Sequence, residues 1–239
     1  MRALTESIVL ITFFISMSLT GQHKILDSSK VYDHWDTKIL KNYEVGNVQI
    51  RHVQINNATW CAIHKKDEII EISGPINEDV PVIIERLLKK LSKKSGCQKK
   101  KIEGLSHYPI EIYLNSGGGY LEDGFKLGEI FREYGVRTKI PQGSVCYSSC
   151  ATAFLGGIKR HMDKGSKIGF HAPYTFEYAI GNKITCEKEN IELKKYYIKM
   201  ANNNASEILY DRTMSYCGID TGWILNHDAA EIFEIANSS

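Results

Sequence analysis

No stretch of the chain is apolar for the roughly 20 residues that a membrane-spanning helix needs. The longest apolar run, Ile8 to Leu19, is about a dozen residues, the length of a signal peptide's central segment. Net charge is nearly absent as well: 30 Lys and Arg against 28 Asp and Glu leave +2. That balance argues against nucleic acid as a partner, and the short run Lys99-Lys100-Lys101 reads as a solvated loop. No closely spaced cysteine pair is followed by a second at zinc spacing, so a metal site is not expected. The one glycine cluster lacks the Gly-Lys-Ser/Thr ending of a phosphate loop and does not match GxGxxG. Internal repeats and low-complexity linkers are missing too, and one domain suffices.

What is present describes an exported globular protein. The 239 residues, 43% hydrophobic and 24% charged, are enough to build a full core. Arg2, the apolar run and then Thr20-Gly21 form a targeting segment, read as a signal peptide over residues 1–21. The alternative is an uncleaved N-terminal tether, since no small-x-small cleavage site is evident; no Cys ends the run, which argues against a lipoprotein anchor. Residues 22–60 read as an N-terminal extension with one strand near Val48–Val53, and residues 61–239 as the main domain. Either form of export, periplasmic or secreted, puts Cys61, Cys97, Cys146, Cys150, Cys186 and Cys217 in an oxidising space. Six cysteines allow 15 pairings; at least one disulfide is expected, and spacing does not say which.

From Glu68 the pattern sharpens. Ile69, Ile70 and Ile72 make a β-rich run stopped by Ser73-Gly74-Pro75. Val82 to Lys94 repeats its apolar residues at helical spacing. Strands are expected at Ile110–Leu114, Val136–Ile140 and Lys167–His171, and helices at Leu121–Tyr134, from Ser148 to Leu155, and through most of the tail from about Asn190. Strand and helix in alternation imply an α/β fold with a mainly parallel sheet flanked by helices.

Three segments serve backbone geometry more than packing. Asn115-Ser116-Gly117-Gly118-Gly119 joins a strand to a helix, where glycines let amide groups approach a ligand closely. A tight turn explains them equally well. Ser148 and Ser149 open a small-residue helix, where a serine is a simple N-cap or a nucleophile whose neighbouring N–H stabilises an oxyanion. His171 ends an apolar strand, as an ordinary edge residue or as a general base.

Taken together and in order, these segments resemble the proteolytic subunit of the Clp protease and its exported single-chain relatives in the Clp/crotonase superfamily. IYLNSGGGYLEDGFKLGEIF is similar to the family's strand, Asn-Ser-Pro-Gly-Gly turn and helix, with Gly117 in place of the proline. CYSSCATAFLGG resembles the Cys-x-Ser-Ala-Cys stretch of the exported relatives, and IGFHAP the strand bearing the catalytic histidine. ISGPI at Ile72–Ile76 matches the first strand and turn. The resemblance implies repeated β-β-α units and a serine peptidase without cofactor or metal. Ser148 is then the nucleophile, His171 the base and Asp220 a third member, with Gly118 and Ser149 as oxyanion donors. An ungapped alignment through Phe154-Leu155 moves the nucleophile to Cys150, and Ser149 is the next alternative. The implied partner is a peptide or protein substrate, with a homo-oligomer as an option; handle and axial features of a Clp ring are not recognisable. Two further readings are a non-catalytic module binding a peptide or partner in the same groove, and a crotonase-type enzyme acting on a CoA thioester, which export disfavours.

Overall fold

The computed structural model describes residues 37–56, 66–92, 110–177, 183–201, 203–218 and 221–237. Strands β1 (Thr37–Val45) and β2 (Val48–Asn56) form a hairpin across a two-residue turn, where Gly46 adopts φ +58°. β3 (Lys66–Ser73) pairs antiparallel with β2, so the hairpin extends the same sheet as the main domain. The sequence suggested one strand in this region, but two are present. A register shift between Ile39 and Lys41 breaks the two-residue alternation that would have marked β1.

Helix α1 (Asp79–Leu91) follows, burying Val80, Ile84, Leu87, Leu88 and Leu91 on one stripe. It starts three residues before the expected Val82, because Pro81 fits a first helical turn and Asn77 Oδ1 accepts the Asp79 N–H at 3.2 Å. β4 (Glu111–Asn115), α2 (Leu121–Glu133) and β5 (Arg137–Ile140) fall where periodicity puts them. β6 (Val145–Tyr147), α3 (Ser149–Phe154), β7 (Lys159–Met162) and β8 (Lys167–Phe170) come next. The rest comprises β9 (Tyr174–Glu177), β10 (Lys183–Cys186), α4 (Ile191–Met200), α5 (Asn203–Met214), β11 (Trp223–Leu225) and α6 (His227–Ile232). Strands β6, β7, β9, β10 and β11, three or four residues each, are too short to show a period in the sequence.

The six-stranded sheet has the order β1-β2-β3-β4-β5-β7 and is parallel from β3 to β7. Ile50, Ile70, Ile72, Ile112, Leu114, Ile140 and Met162 point from it into a core shared with the helices. A mixed α/β architecture with a mostly parallel central sheet flanked by helices is the class expected. A second sheet, ordered β11-β8-β6, grows from the C-terminal end of β4, where the Ser116 N–H donates to Val145 O at 2.8 Å and the Tyr147 N–H to Ser116 O at 3.0 Å. β9 and β10 form a separate antiparallel hairpin.

Two arginines hold these layers together. Arg132 donates to the carbonyls of Leu155, Gly156 and Met200, and Arg160, buried, to those of Gly157, Glu234 and Ile235. Each satisfies carbonyl groups left open where a helix or turn ends. Burial, followed by repulsion from Arg132, pulls the Arg160 guanidinium down to about 10.

Candidate functional site

Ser148 occupies the single residue between β6 and α3, at φ 56° and ψ −125°. Ser148 and Glu234 are the non-glycine residues with positive φ among those described. Such a conformation costs on the order of 1–3 kcal/mol and persists only where the surroundings over-determine it. Here the Ser148 N–H donates to Gly169 O at 2.9 Å, and Ser148 O accepts from the Thr152 N–H at 3.0 Å and the Thr152 hydroxyl at 3.3 Å. A disulfide between Cys146 and Cys150 closes the turn from both sides.

The three residues among which the sequence left the nucleophile open have different surroundings. Ser148 is partly exposed. Ser149 is 1% exposed and lies against Gly124 of α2, so tightly that a Cβ there would stand 2.8 Å from that of Ser149. Its hydroxyl is buried without a hydrogen-bond partner among the described residues. Cys150 is fully buried and its sulfur is taken up in the disulfide.

The glycine turn packs directly on this elbow. Gly118 has φ +103°, and a Cβ there would lie 2.6 Å from Ser148 Cβ and 2.7 Å from Tyr147 O. A Cβ on Gly119 would overlap the Ile76 carbonyl, in a strip where the Ile76 N–H donates to Gly118 O at 2.8 Å and the Tyr120 N–H to Ile76 O at 3.1 Å. Glycine is required at both positions, at Gly118 for conformation and space and at Gly119 for space.

Of the two expected oxyanion donors, the Ser149 N–H has no partner among the described residues. The Gly118 N–H does have one, the buried Ser116 Oγ at 3.0 Å. Beside it, the Gly119 N–H stands at an exposed residue with no partner among the described residues. The sequence placed Ser116 and Gly119 in the turn and gave neither a role of its own. The signal for Ser116 was available, since a serine hydroxyl two residues before a glycine is well placed to accept that glycine's N–H.

His171 follows β8 and is partly exposed. β6 and β8 are parallel with Tyr147 opposite Gly169, so Ser148 and His171 leave neighbouring strands within a residue of register. His171 Nδ1 lies 2.9 Å from Ala172 O. A carbonyl only accepts, so Nδ1 carries a proton; in the neutral ring Nε2 then presents its lone pair, the tautomer a general base requires. Ser148 Oγ and His171 are not hydrogen-bonded to each other in this structure. Catalytic contacts often tighten only when substrate binds. The Tyr174 ring stacks at a tilt on the imidazole, with centroids 5.5 Å apart.

Asp220 lies outside the described residues. The segment after it returns to the site, for Trp223 of β11 pairs with Phe170 of β8. Tyr147, whose ring fills the space over Gly169, has its phenol pushed up by burial and stays neutral. Among the described residues no group of three His, Cys, Asp or Glu side chains is placed to hold a metal ion, and no helix is long and apolar enough to cross a membrane.

No protein-family model matches the chain, and no curated protein matches it in sequence. Solved structures do match in shape. A lysine-to-alanine variant of the membrane-bound stomatin-specific protease 1510-N, in complex with a substrate peptide, superimposes with a TM-score of 0.53 at 17% identity, over 70% of this chain and 71% of that one. A serine-to-alanine variant of the same protease gives 0.50 at 16% identity, over 70% and 75%. ClpP1 from Listeria monocytogenes gives 0.48 at 20% identity, over 70% and 87%. With its parallel sheet, glycine turn and serine elbow in this arrangement, the chain has a Clp protease-like fold.

Proposed function

We propose that this protein is an exported serine hydrolase that cleaves peptide bonds at Ser148. The observation that carries the reading is the serine itself: a partly exposed hydroxyl at a positive-φ elbow, pressed against a glycine turn and one strand from a histidine. A serine placed only for packing has no reason to hold that conformation. In this mechanism His171 Nε2 takes the Ser148 proton as Oγ attacks the carbonyl carbon. The Ser149 N–H and the glycine turn hold the oxyanion, through Gly118 once its N–H leaves Ser116 Oγ, or through Gly119. His171 then protonates the departing amine, and water, activated by the same imidazole, releases the acyl group. Asp220 is the proposed third member, taking over from Ala172 O at Nδ1.

A peptide substrate is inferred from the fold and from the substrate peptide held by one structural relative. Export is inferred from the N-terminal segment and from two disulfides, Cys146–Cys150 and Cys186–Cys217, a bond type favoured in an oxidising space. A membrane tether through residues 1–21 and a homo-oligomer belong to the same proposal, with no cofactor or metal required. The test is labelling of the purified, signal-less protein with a fluorophosphonate probe, followed by peptide mapping. Adduct on Ser148 that vanishes in Ser148→Ala and in His171→Ala is the expected result. Full labelling of Ser148→Ala would sink the assignment.

One observation favours a second reading, a binding module without turnover. The Gly118 N–H is already satisfied inside the protein by Ser116. On that reading the folded, disulfide-intact protein takes no probe, and Ser148→Ala leaves the affinity for its partner unchanged.

A further inference from the structure

We propose that the Cys146–Cys150 disulfide is a positioning device for the Ser148 elbow, setting the reactivity of the serine more than the stability of the fold; this rests on the hydrolase reading above. The bond spans four positions, with Ser148 midway in the sequence between the two cysteines. Both cysteines are fully buried, and each is anchored in a different element. Cys146 is the central residue of β6, bridged to Ser116 on one side and paired with Ile168 of β8 on the other. Cys150 sits in the first turn of α3, the helix whose Ser149 and Ala153 pack against Gly124 and Gly128 of α2.

The elbow needs such a brace for local reasons. α3 has only six residues, and Ser148, its N-cap residue, makes no side-chain capping bond. A helix that short has almost no stability of its own. Within α3 only the two Thr152 bonds to Ser148 O oppose relaxation of Ser148 to negative φ, which would turn Oγ and the Ser149 N–H away from the glycine turn. Cross-linking the strand before the elbow to the helix after it blocks that motion. A closed loop this short removes little entropy from the unfolded chain, less than Cys186–Cys217 does across 31 positions. The bond is thus poorly placed as a global staple and well placed as a local one.

The test compares the wild type with Cys146→Ala/Cys150→Ala and with Cys186→Ala/Cys217→Ala. A Cys146→Val/Cys150→Ala variant refills the strand position should the double alanine fail to fold. Two readouts are taken on protein that unfolds cooperatively: the rate of fluorophosphonate labelling at Ser148, and amide hydrogen exchange over residues 148–152. Loss of the short bond should slow labelling about 10- to 100-fold, the scale set by small displacements of a reacting group. On a cleavable peptide the loss should fall on kcat, with KM unmoved. Exchange at Thr152, whose N–H is bonded to Ser148 O, should rise at least about 10-fold. The control pair should leave both readouts at wild-type values.

Reversibility provides a second check in the Cys186→Ala/Cys217→Ala background. A dithiol delivers two electrons and two protons to the Cys146–Cys150 bond, becoming a cyclic disulfide itself, and labelling should fall; reoxidation should restore it. Wild-type labelling and exchange rates without the short bond would overturn the proposal. A wild type that never labels, with exchange still raised by loss of the bond, would refute the hydrolase reading and leave the brace as a structural element. A wild type that labels, with no change in either readout, would do the opposite.

Discussion

The parallel part of the six-stranded sheet runs from β3 through β4 and β5 to β7 without a break in register, whereas the sheet beside it is assembled from strands of three or four residues. In the first, side chains alternate between a core face of isoleucines and a polar face where Arg51, Glu71, Tyr113, Lys139 and His161 stand opposite one another strand by strand. Where the second gives way to α3, the backbone departs from regular geometry at Ser148, a disulfide brackets the departure, and the Ser149 hydroxyl is buried without a hydrogen-bond partner among the described residues. Regular pairing carries stability and has no free polar groups to offer a ligand. The short sheet gives way to α3 at the Ser148 elbow, where the Ser149 N–H and hydroxyl have no partner among the described residues, and it is tied to the larger sheet through Ser116.

Substitution at glycines should break this comparison most strongly. Gly118→Ala adds a Cβ at φ +103° within 2.6 Å of Ser148 Cβ. Strain and overpacking together should cost about 3–4 kcal/mol, and labelling of Ser148 should fall by at least about 100-fold. Gly46→Ala, also at positive φ but in open space on the hairpin, should cost about 1 kcal/mol and leave labelling unchanged. Urea unfolding and probe kinetics on the two variants separate strain at the site from strain at the edge.

A deletion in the larger sheet should do the reverse. Arg51 Nε donates to Glu71 Oε2 at 2.6 Å, with side-chain exposures of 12% and 5%. Glu71→Ala strands the guanidinium in a buried place and should destabilise by about 3 kcal/mol, while the folded fraction labels at the wild-type rate. A large fall in labelling of the folded protein would mean that the two sheets are coupled more tightly than their geometry indicates.

The smallest expected effect is a change in the acid limb. For Asp163, burial acts to raise the carboxyl, but the hydrogen bond from His161 and the nearby Lys139 charge outweigh it and hold the group below its ordinary 3.8. A carboxylate whose folded value is depressed contributes stability above the unfolded value and loses it as pH falls through the folded one. Asp163→Asn should therefore flatten the loss of stability below about pH 4 and leave the pH dependence of labelling near neutrality untouched. Urea midpoints measured between about pH 3 and pH 7 check both halves.

Much of the fold was legible because its signals are local. The apolar stripe of α1, the run Ile69–Ile72 and the glycines after Asn115 each report on their own backbone, and each appears where expected. The hairpin strand β1 was hidden by its bulge, and the three-residue strands by their length. At the site, Ser148, His171 and the glycine turn were readable as residue types at strand and helix ends. Which neighbour is buried was not, because Ser149 faces inward only through its contact with Gly124, 25 positions earlier in the chain. Disulfide pairing was also beyond spacing: the structure pairs Cys146 with Cys150 and Cys186 with Cys217, while Cys61 and Cys97 lie outside the described residues.

By itself, then, the sequence determined the order of strands and helices, the places where glycine must bend the chain, and the presence of a serine and a histidine at the ends of elements. These depend on period and backbone freedom, which neighbouring residues set among themselves. Tertiary structure alone decided that Ser148 stands at positive φ while Ser149 is buried, that Ser116 takes the Gly118 N–H, and that two cysteines close around the elbow. Those outcomes depend on what packs against each group, and the packing partners come from strands and helices far apart in the chain.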